Sequence, residues 1–377
     1  MMNTIVNENL VSFKELEQKI YIYVCELARE ITRQMLESYD KELAESRDKM
    51  QYRGKGKRST CGQSISAGGV WNMMQRLGER IDEEEAHAVK QMDADQTEGA
   101  KVIPVLFEEM DGVWLHIQDE HHKKKKKQEM KVFTMYEGWD AEKEKQKRST
   151  LVEKTMLAGM ESSSEFHAKR EACIRKKYAA DEISQRILNG DGGSWIKEPY
   201  DPDVIFQLDR YHIYQEILRK ISDKEAQKEI RRLFDEEKMD EMLEYIQIYA
   251  TSVASPDEKD KSSKKAMELY QYLNNNKEGL LPYNKRDITI PAPKAGILYK
   301  GMGIQETQNC TVVTLRMKHR RMRWSVGGAN NLAKALYRKE NKELIETIDR
   351  YADRFNHHMP LFEAMQTTSR KAFKRAF

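Results

Sequence analysis

A chain of 377 residues is long enough to bury a substantial core and suggests roughly two or three structural units, which excludes a miniprotein held together by disulfides or zinc. Charged residues make up 34% of it, but 65 Lys and Arg stand against 62 Asp and Glu, a formal net charge of +3. The overall balance therefore excludes neither nucleic acid nor a basic partner, and the local distribution of charge has to decide. Cys25, Cys61, Cys173 and Cys310 form no Cys-x-x-Cys pair and no Cys/His cluster at zinc-ligand spacing, so free thiols in a reducing compartment are expected. No run approaches the length of a membrane span, and the first residues lack the basic region and apolar core of a signal peptide. A soluble cytoplasmic protein is the expectation.

From Phe13 to about Met50, Leu16, Ile20, Val24, Leu27, Ile31, Met35 and Tyr39 recur in steps of three and four, which predicts one long amphipathic helix. The segment "YRGKGKR" ends it. Ser66 then caps a helix through Val70, Trp71, Met74 and Leu77 to about Ala88, and a polar linker follows from Gln91 to Ala100. The character changes at "KVIPVLFEEMDGVWLHIQ". That run, "MKVFTMYEGW", "TLVEKTMLAGM", "RILNGDGGSWI" and "DVIFQLD" are β-rich and bounded by glycines and charges, enough for a five-stranded sheet.

Between the third and fourth runs, "SSEFHAKREACIRKKYAADEI" opens with serines and reads as a covering helix. The run His121 to Lys127, "HHKKKKK", reads as a solvated hairpin tip. Arg210 to about Ala250 is helical again, and with a second helix, Lys264 to Leu273, it forms an insertion after the fifth strand. "PYNKRDITIPAPKAG" is an irregular connection, and a last core helix runs from about Gln308 to Met317. The expected units are 1–58, 59–100, a core over 101–212 completed by 284–340, the insertion 213–283 and a helical tail 341–377.

Carboxylates at strand ends beside glycines suit a pair of divalent ions in a phosphodiester-cutting site, because glycine lets backbone and substrate approach closely. Asp111 precedes Gly112 in the first strand, and Asp191 ends the fourth with glycines on both sides. If those strands are neighbours, the two can converge. Glu306 in "GMGIQETQNC" is the best third ligand, with Glu108 and Glu109 as rivals. Each feature has a plainer explanation: Asp-Gly is commonest as a turn, and a glutamate near a helix N-terminus complements the helix dipole. Asp209 and His212 in "LDRYH" are neighbours that can support the site. Arg316, Lys318, Arg320, Arg321 and Arg323 with Trp324 form the strongest local charge signal, and cations beside an aromatic suit a phosphate backbone and an unstacked base.

The strings "VLFEEMDGVWLHIQ", "QEMKVFTMYEGW", "RILNGDGGSWI", "QLDRYH", "LNNNKEGLLPY" and "RMKHRRMRWSVGGANNLAKAL" closely resemble the ISLre-type transposases of bacterial insertion sequences, formerly an uncharacterised protein family. The resemblance runs from about residue 59 to 340. It implies an α/β chain with a ribonuclease H-like core, flanking helices, and an Asp-Asp-Glu triad binding two Mg²⁺ ions, with Mn²⁺ as a substitute. Residue by residue it puts the triad at Asp111, Asp191 and Glu306, although Ile304-Gln305 departs from the family's usual pair. It further implies cleavage at transposon ends, attack of a 3′ hydroxyl on target DNA, a homo-oligomer, and a bacterial nucleoid setting. Arg58 runs straight into "STCGQSISAGGVWNMMQRLGERI", which resembles only the second half of the family's helix-turn-helix-like region, as after an internal deletion. Three readings follow: a transposase, a related endonuclease without strand transfer, or a DNA-binding remnant.

Overall fold

The computed structural model describes residues 59–60, 63–64, 67–97, 99–118, 126–197, 203–254, 261–318 and 322–356. The expected helix from Phe13 to Met50, the Ser66 cap, Arg320, Arg321, most of the His121–Lys127 run and the tail beyond residue 356 lie outside them. The chain divides into two compact units, residues 1–74 and 75–377. In the first, Ser59–Thr60 pairs with Gln63–Ser64 as a small antiparallel hairpin.

Helix α1, Ala67–Asp93, begins in the first unit and continues into the second. It overruns the expected end at Ala88, since no glycine or proline interrupts "HAVKQMD", and it stops where Asp95 takes a left-handed φ of 55°.

All five expected strands form: β1 (Val105–Ile117), β2 (Lys126–Tyr136), β3 (Thr155–Gly159), β4 (Gln185–Gly190) and β5 (Val204–Leu208). Their order is β3-β2-β1-β4-β5. The β1–β2 and β2–β3 pairs are antiparallel; β1–β4 and β4–β5 are parallel. The molecule is thus a mixed α/β fold around a five-stranded mixed sheet. The third run differs in one respect from the single strand expected. Glu153, with φ of 56°, breaks it, so that Leu151–Val152 joins Gly138–Asp140 and Ile297–Leu298 in a separate small sheet.

Helix α2, Ser163–Lys177, is the covering helix read from the serines, and Ser162 and Glu165 form a reciprocal capping box at its start. Its Phe166 and Ile174 pack with Leu106, Met110, Phe133 and Met135 in the main core.

Among the described residues the insertion holds four α-helices rather than two: α3 (Arg210–Lys220), α4 (Lys224–Asp235), α5 (Met239–Ser252) and α6 (Ser262–Asn275). Asp223 opens α4 by accepting a hydrogen bond from the Ala226 N–H, and Glu237, at φ 62°, turns the chain into α5. The apolar stripe Ile213, Ile217, Ile221, Ile230, Phe234, Met242 and Ile246 is buried as expected, in a cluster of its own that takes in Leu269 and Leu273.

Helix α7, residues 305–317, starts at Gln305 instead of Gln308 and carries a π-helical stretch at Asn309–Thr314. Helix α8, Val326–Glu340, covers the edge strand β3. The Asn330 side chain accepts from the Met160 N–H, and that of Asn341 bonds both the N–H and C=O of Met156. Helix α9, Leu344–Asn356, follows. Among the described residues no helix is long and apolar enough to cross a membrane.

Candidate metal-binding site

Parallel pairing of β1 with β4 runs to Met110↔Gly190, so Asp111 and Asp191 occupy the next position on each chain. Asp191 then turns the chain. Its Oδ1 accepts the Gly193 N–H at 2.8 Å, and its carbonyl accepts the Tyr272 hydroxyl at 2.8 Å. Gly192, at φ +80°, makes that turn in a conformation L side chains avoid, and a Cβ there would meet the Asn276 amide oxygen at 2.8 Å.

Asp209 ends β5 and caps α3. It accepts from the Tyr211 N–H (2.8 Å) and the Asn189 side chain (2.7 Å), and its own N–H reaches the Gly190 carbonyl (2.8 Å). Capped there, the first turn of α3 puts His212 Nε2 3.6 Å from Asp111 Oδ2.

Glu306 enters on the first turn of α7, which is fixed to β1 through the fully buried Glu109. That carboxylate accepts the backbone N–H groups of Gly303 (3.2 Å), Ile304 (3.0 Å) and Gln305 (3.2 Å), the Tyr136 hydroxyl (2.6 Å) and the Asn189 amide (3.1 Å). Burial pushes the Glu109 carboxyl up, against the pull of these donors. One turn further along α7, Asn309 donates to Asp111 Oδ2 at 2.6 Å and is itself held by Gln305 at 3.0 Å.

One ligand atom each from Asp111, His212 and Glu306 falls within 4.8 Å of the others. Asp191 adjoins this group electrostatically. Burial, and then the Asp111 charge against a backbone N–H from Gly193, raises its carboxyl. Glu306 is raised by burial and by Asp111, with His212 and Lys318 opposing. Burial disfavours the charge on His212, but its bond to Asp111 and the charges of Asp111, Asp209 and Asp191 push the imidazole up to about 9.

Two other buried carboxylates, Glu108 and Glu161, are shifted the opposite way. Arg170 and Arg186 hold Glu108 at about 2 despite its burial, and Lys334 and Lys169 do the same for Glu161. A second convergent group, Asp82, Glu85 and Glu161, is held by those two lysines. Glu108 and Glu109 are both engaged, one by arginines and one by the α7 backbone. Of the two convergent groups found among the described residues, the Asp111 one joins carboxylates to an imidazole. Carboxylate oxygens with one imidazole nitrogen fit a hard divalent cation.

Sequence reasoning missed Glu129 and Asn309. Glu129 lies across Gly112, where a Cβ would come within 1.8 Å of its carboxylate oxygen, and burial and then Asp191 raise its pKa. Only the strand register could have found it. Asn309 is visible only once the π turn sets its direction. Trp324 is partly buried against the core, its indole N–H donates to the Met317 carbonyl at 2.7 Å, and its backbone bonds that of His116 and Gln118, so much of the ring's surface is taken up by packing. Arg316, Lys318 and Arg323 are exposed, and Lys318 acts on Glu306.

No curated protein matches the chain. A family model does match, over residues 55–348, which takes in the five strands, the insertion, and Asp111, Asp191, His212 and Glu306, and the chain belongs to the uncharacterised protein family UPF0236.

Proposed function

We propose that this protein is a metal-dependent DNA transposase of the Asp-Asp-Glu class, similar to the ISLre-type enzymes of bacterial insertion sequences. The single observation that carries the reading is the convergence of Asp111 and Glu306 with His212, one ligand atom of each within 4.8 Å of the others, with Asp191 close enough for the Asp111 charge to raise its carboxyl. The sheet order β3-β2-β1-β4-β5, with β2 antiparallel to its neighbours and the two aspartates on adjacent parallel strands, supports a ribonuclease H-like core.

Two Mg²⁺ ions, or Mn²⁺ in their place, would activate the attacking oxygen and stabilise the leaving one. Asp111 lies between Asp191 and Glu306 in this reading and is the residue suited to be shared, with Asn309 fixing its Oδ2. His212 Nε2, 3.6 Å from Asp111 Oδ2, stands beside the shared carboxylate, where the neutral imidazole could complete a cation's ligand set. Arg316, Lys318 and Arg323 offer exposed cations to the DNA backbone, with Arg320 and Arg321 in the same run. The enzyme acts as a homo-oligomer on paired ends in the bacterial nucleoid.

The test is incubation of the protein with a labelled transposon-end duplex, Mg²⁺ and target plasmid, beside Asp191→Asn. Joined products that vanish in the mutant support the reading. Cleavage without joining would make the protein an endonuclease, and end binding with no metal-dependent chemistry would make it a DNA-binding remnant.

A further inference from the structure

We propose that Tyr211 is the stacking platform for the nucleobase next to the scissile phosphate, an inference that rests on the functional reading above. Tyr211 is 44% exposed although it sits in the first turn of α3, directly before His212. Its ring meets that of His212 edge-on, with centroids 5.5 Å apart at 86°. His212 in turn lies 3.6 Å from Asp111, so an exposed aromatic face stands one side chain away from the carboxylate cluster. The charges of Glu306, Asp111 and Asp209 all reach its hydroxyl and raise its pKa.

Two features make the ring available and steady. The Tyr211 backbone N–H is taken by Asp209 at 2.8 Å, which fixes the turn. The exposed ring has no part in the insertion's hydrophobic cluster, in which Ile213 and Ile217 of the same helix are buried. Base–aromatic stacking tolerates any base, because each has a π-face, and it suits a nucleotide drawn out of the helix at the point of cleavage. Trp324, the aromatic beside the basic run, has its ring packed and its N–H bonded. Tyr211 combines an exposed ring with a place directly beside His212.

The experiment uses the full chain and a duplex with a short single-stranded overhang, carrying 2-aminopurine at each overhang position in turn, in Ca²⁺ to hold the complex before chemistry. Stacking quenches the probe. Wild type and Tyr211→Phe are expected to quench at one position and Tyr211→Ala at none, with duplex-region affinity little changed. In Mg²⁺, Tyr211→Ala should cleave about tenfold more slowly or worse, the loss expected for one base stack, while Tyr211→Phe stays near wild type. Quenching that persists in Tyr211→Ala overturns the proposal, as does a Phe variant as impaired as the Ala variant. A wild type that quenches nowhere overturns it whether or not cleavage occurs; cleavage that fails while quenching is normal sinks the transposase reading and leaves the platform standing.

Discussion

Removing the charge at Asp191 should stabilise the metal-free protein even as it abolishes chemistry. Burial and the neighbouring Asp111 favour the protonated carboxyl, so its ionised form costs stability at neutral pH, a cost that disappears as pH falls below the ordinary carboxylate range. Asp191→Asn keeps an acceptor for the Gly193 N–H and is expected to gain on the order of 1 kcal/mol in urea unfolding without metal. Mg²⁺ should then raise the Tm of wild type more than that of the variant, because a ligand stabilises the state that binds it. Glu108 and Glu161 carry the opposite sign. Each is held at about 2, so its contribution is full above the unfolded value near 4.5 and is lost as pH falls through about 2. Glu108→Ala, which removes the buried carboxylate shared by Arg170 and Arg186 and leaves them the half-exposed Glu171, should cost about 3–5 kcal/mol at pH 7 and less below pH 3, measured by denaturant unfolding across pH.

At the scale of elements, the carboxylates are placed by three short devices: the β1–β4 register, the Gly192 turn and the Glu109 clamp on α7. Gly192→Ala forces a left-handed conformation on a residue with a Cβ and should destabilise by about 1–2 kcal/mol, with weaker Mg²⁺ binding in calorimetry because Asp191 leads into that turn. Strands and cores were legible here. The strand runs alternate apolar residues with glycine boundaries, and "NGDGGSW" announced a turn with a usable aspartate. The breaks at Glu153 and Glu237 were not, because a non-glycine residue at positive φ leaves no compositional mark. Nor was the role of Glu109, since a buried glutamate reads the same whether a metal, an arginine or a helix N-terminus satisfies it.

Across the larger unit, two packed regions meet at Asp111. The sheet with α2 and α8 forms one hydrophobic cluster, and α3 to α6 form another around Phe234 and Ile246. Phe234→Ala should cost about 3–5 kcal/mol, and hydrogen exchange should speed up first across α3 to α6 while β1 and β4 stay protected. Because α3 carries His212 and α6 carries the Tyr272 that bonds Asp191, such loosening should also weaken metal binding.

The sequence by itself determined the five strands, the covering helix, the apolar stripe of the insertion, and Asp111, Asp191 and Glu306 as candidates, because periodicity and turn chemistry are local properties. Only the tertiary structure decided which carboxylates are raised by burial and by each other, that Glu109 anchors α7, that Glu129 leans across Gly112, and that Trp324 is packed while Tyr211 is exposed. Most of these depend on partners far away in sequence, and charge balance at a site is a sum over neighbours that only folding assembles.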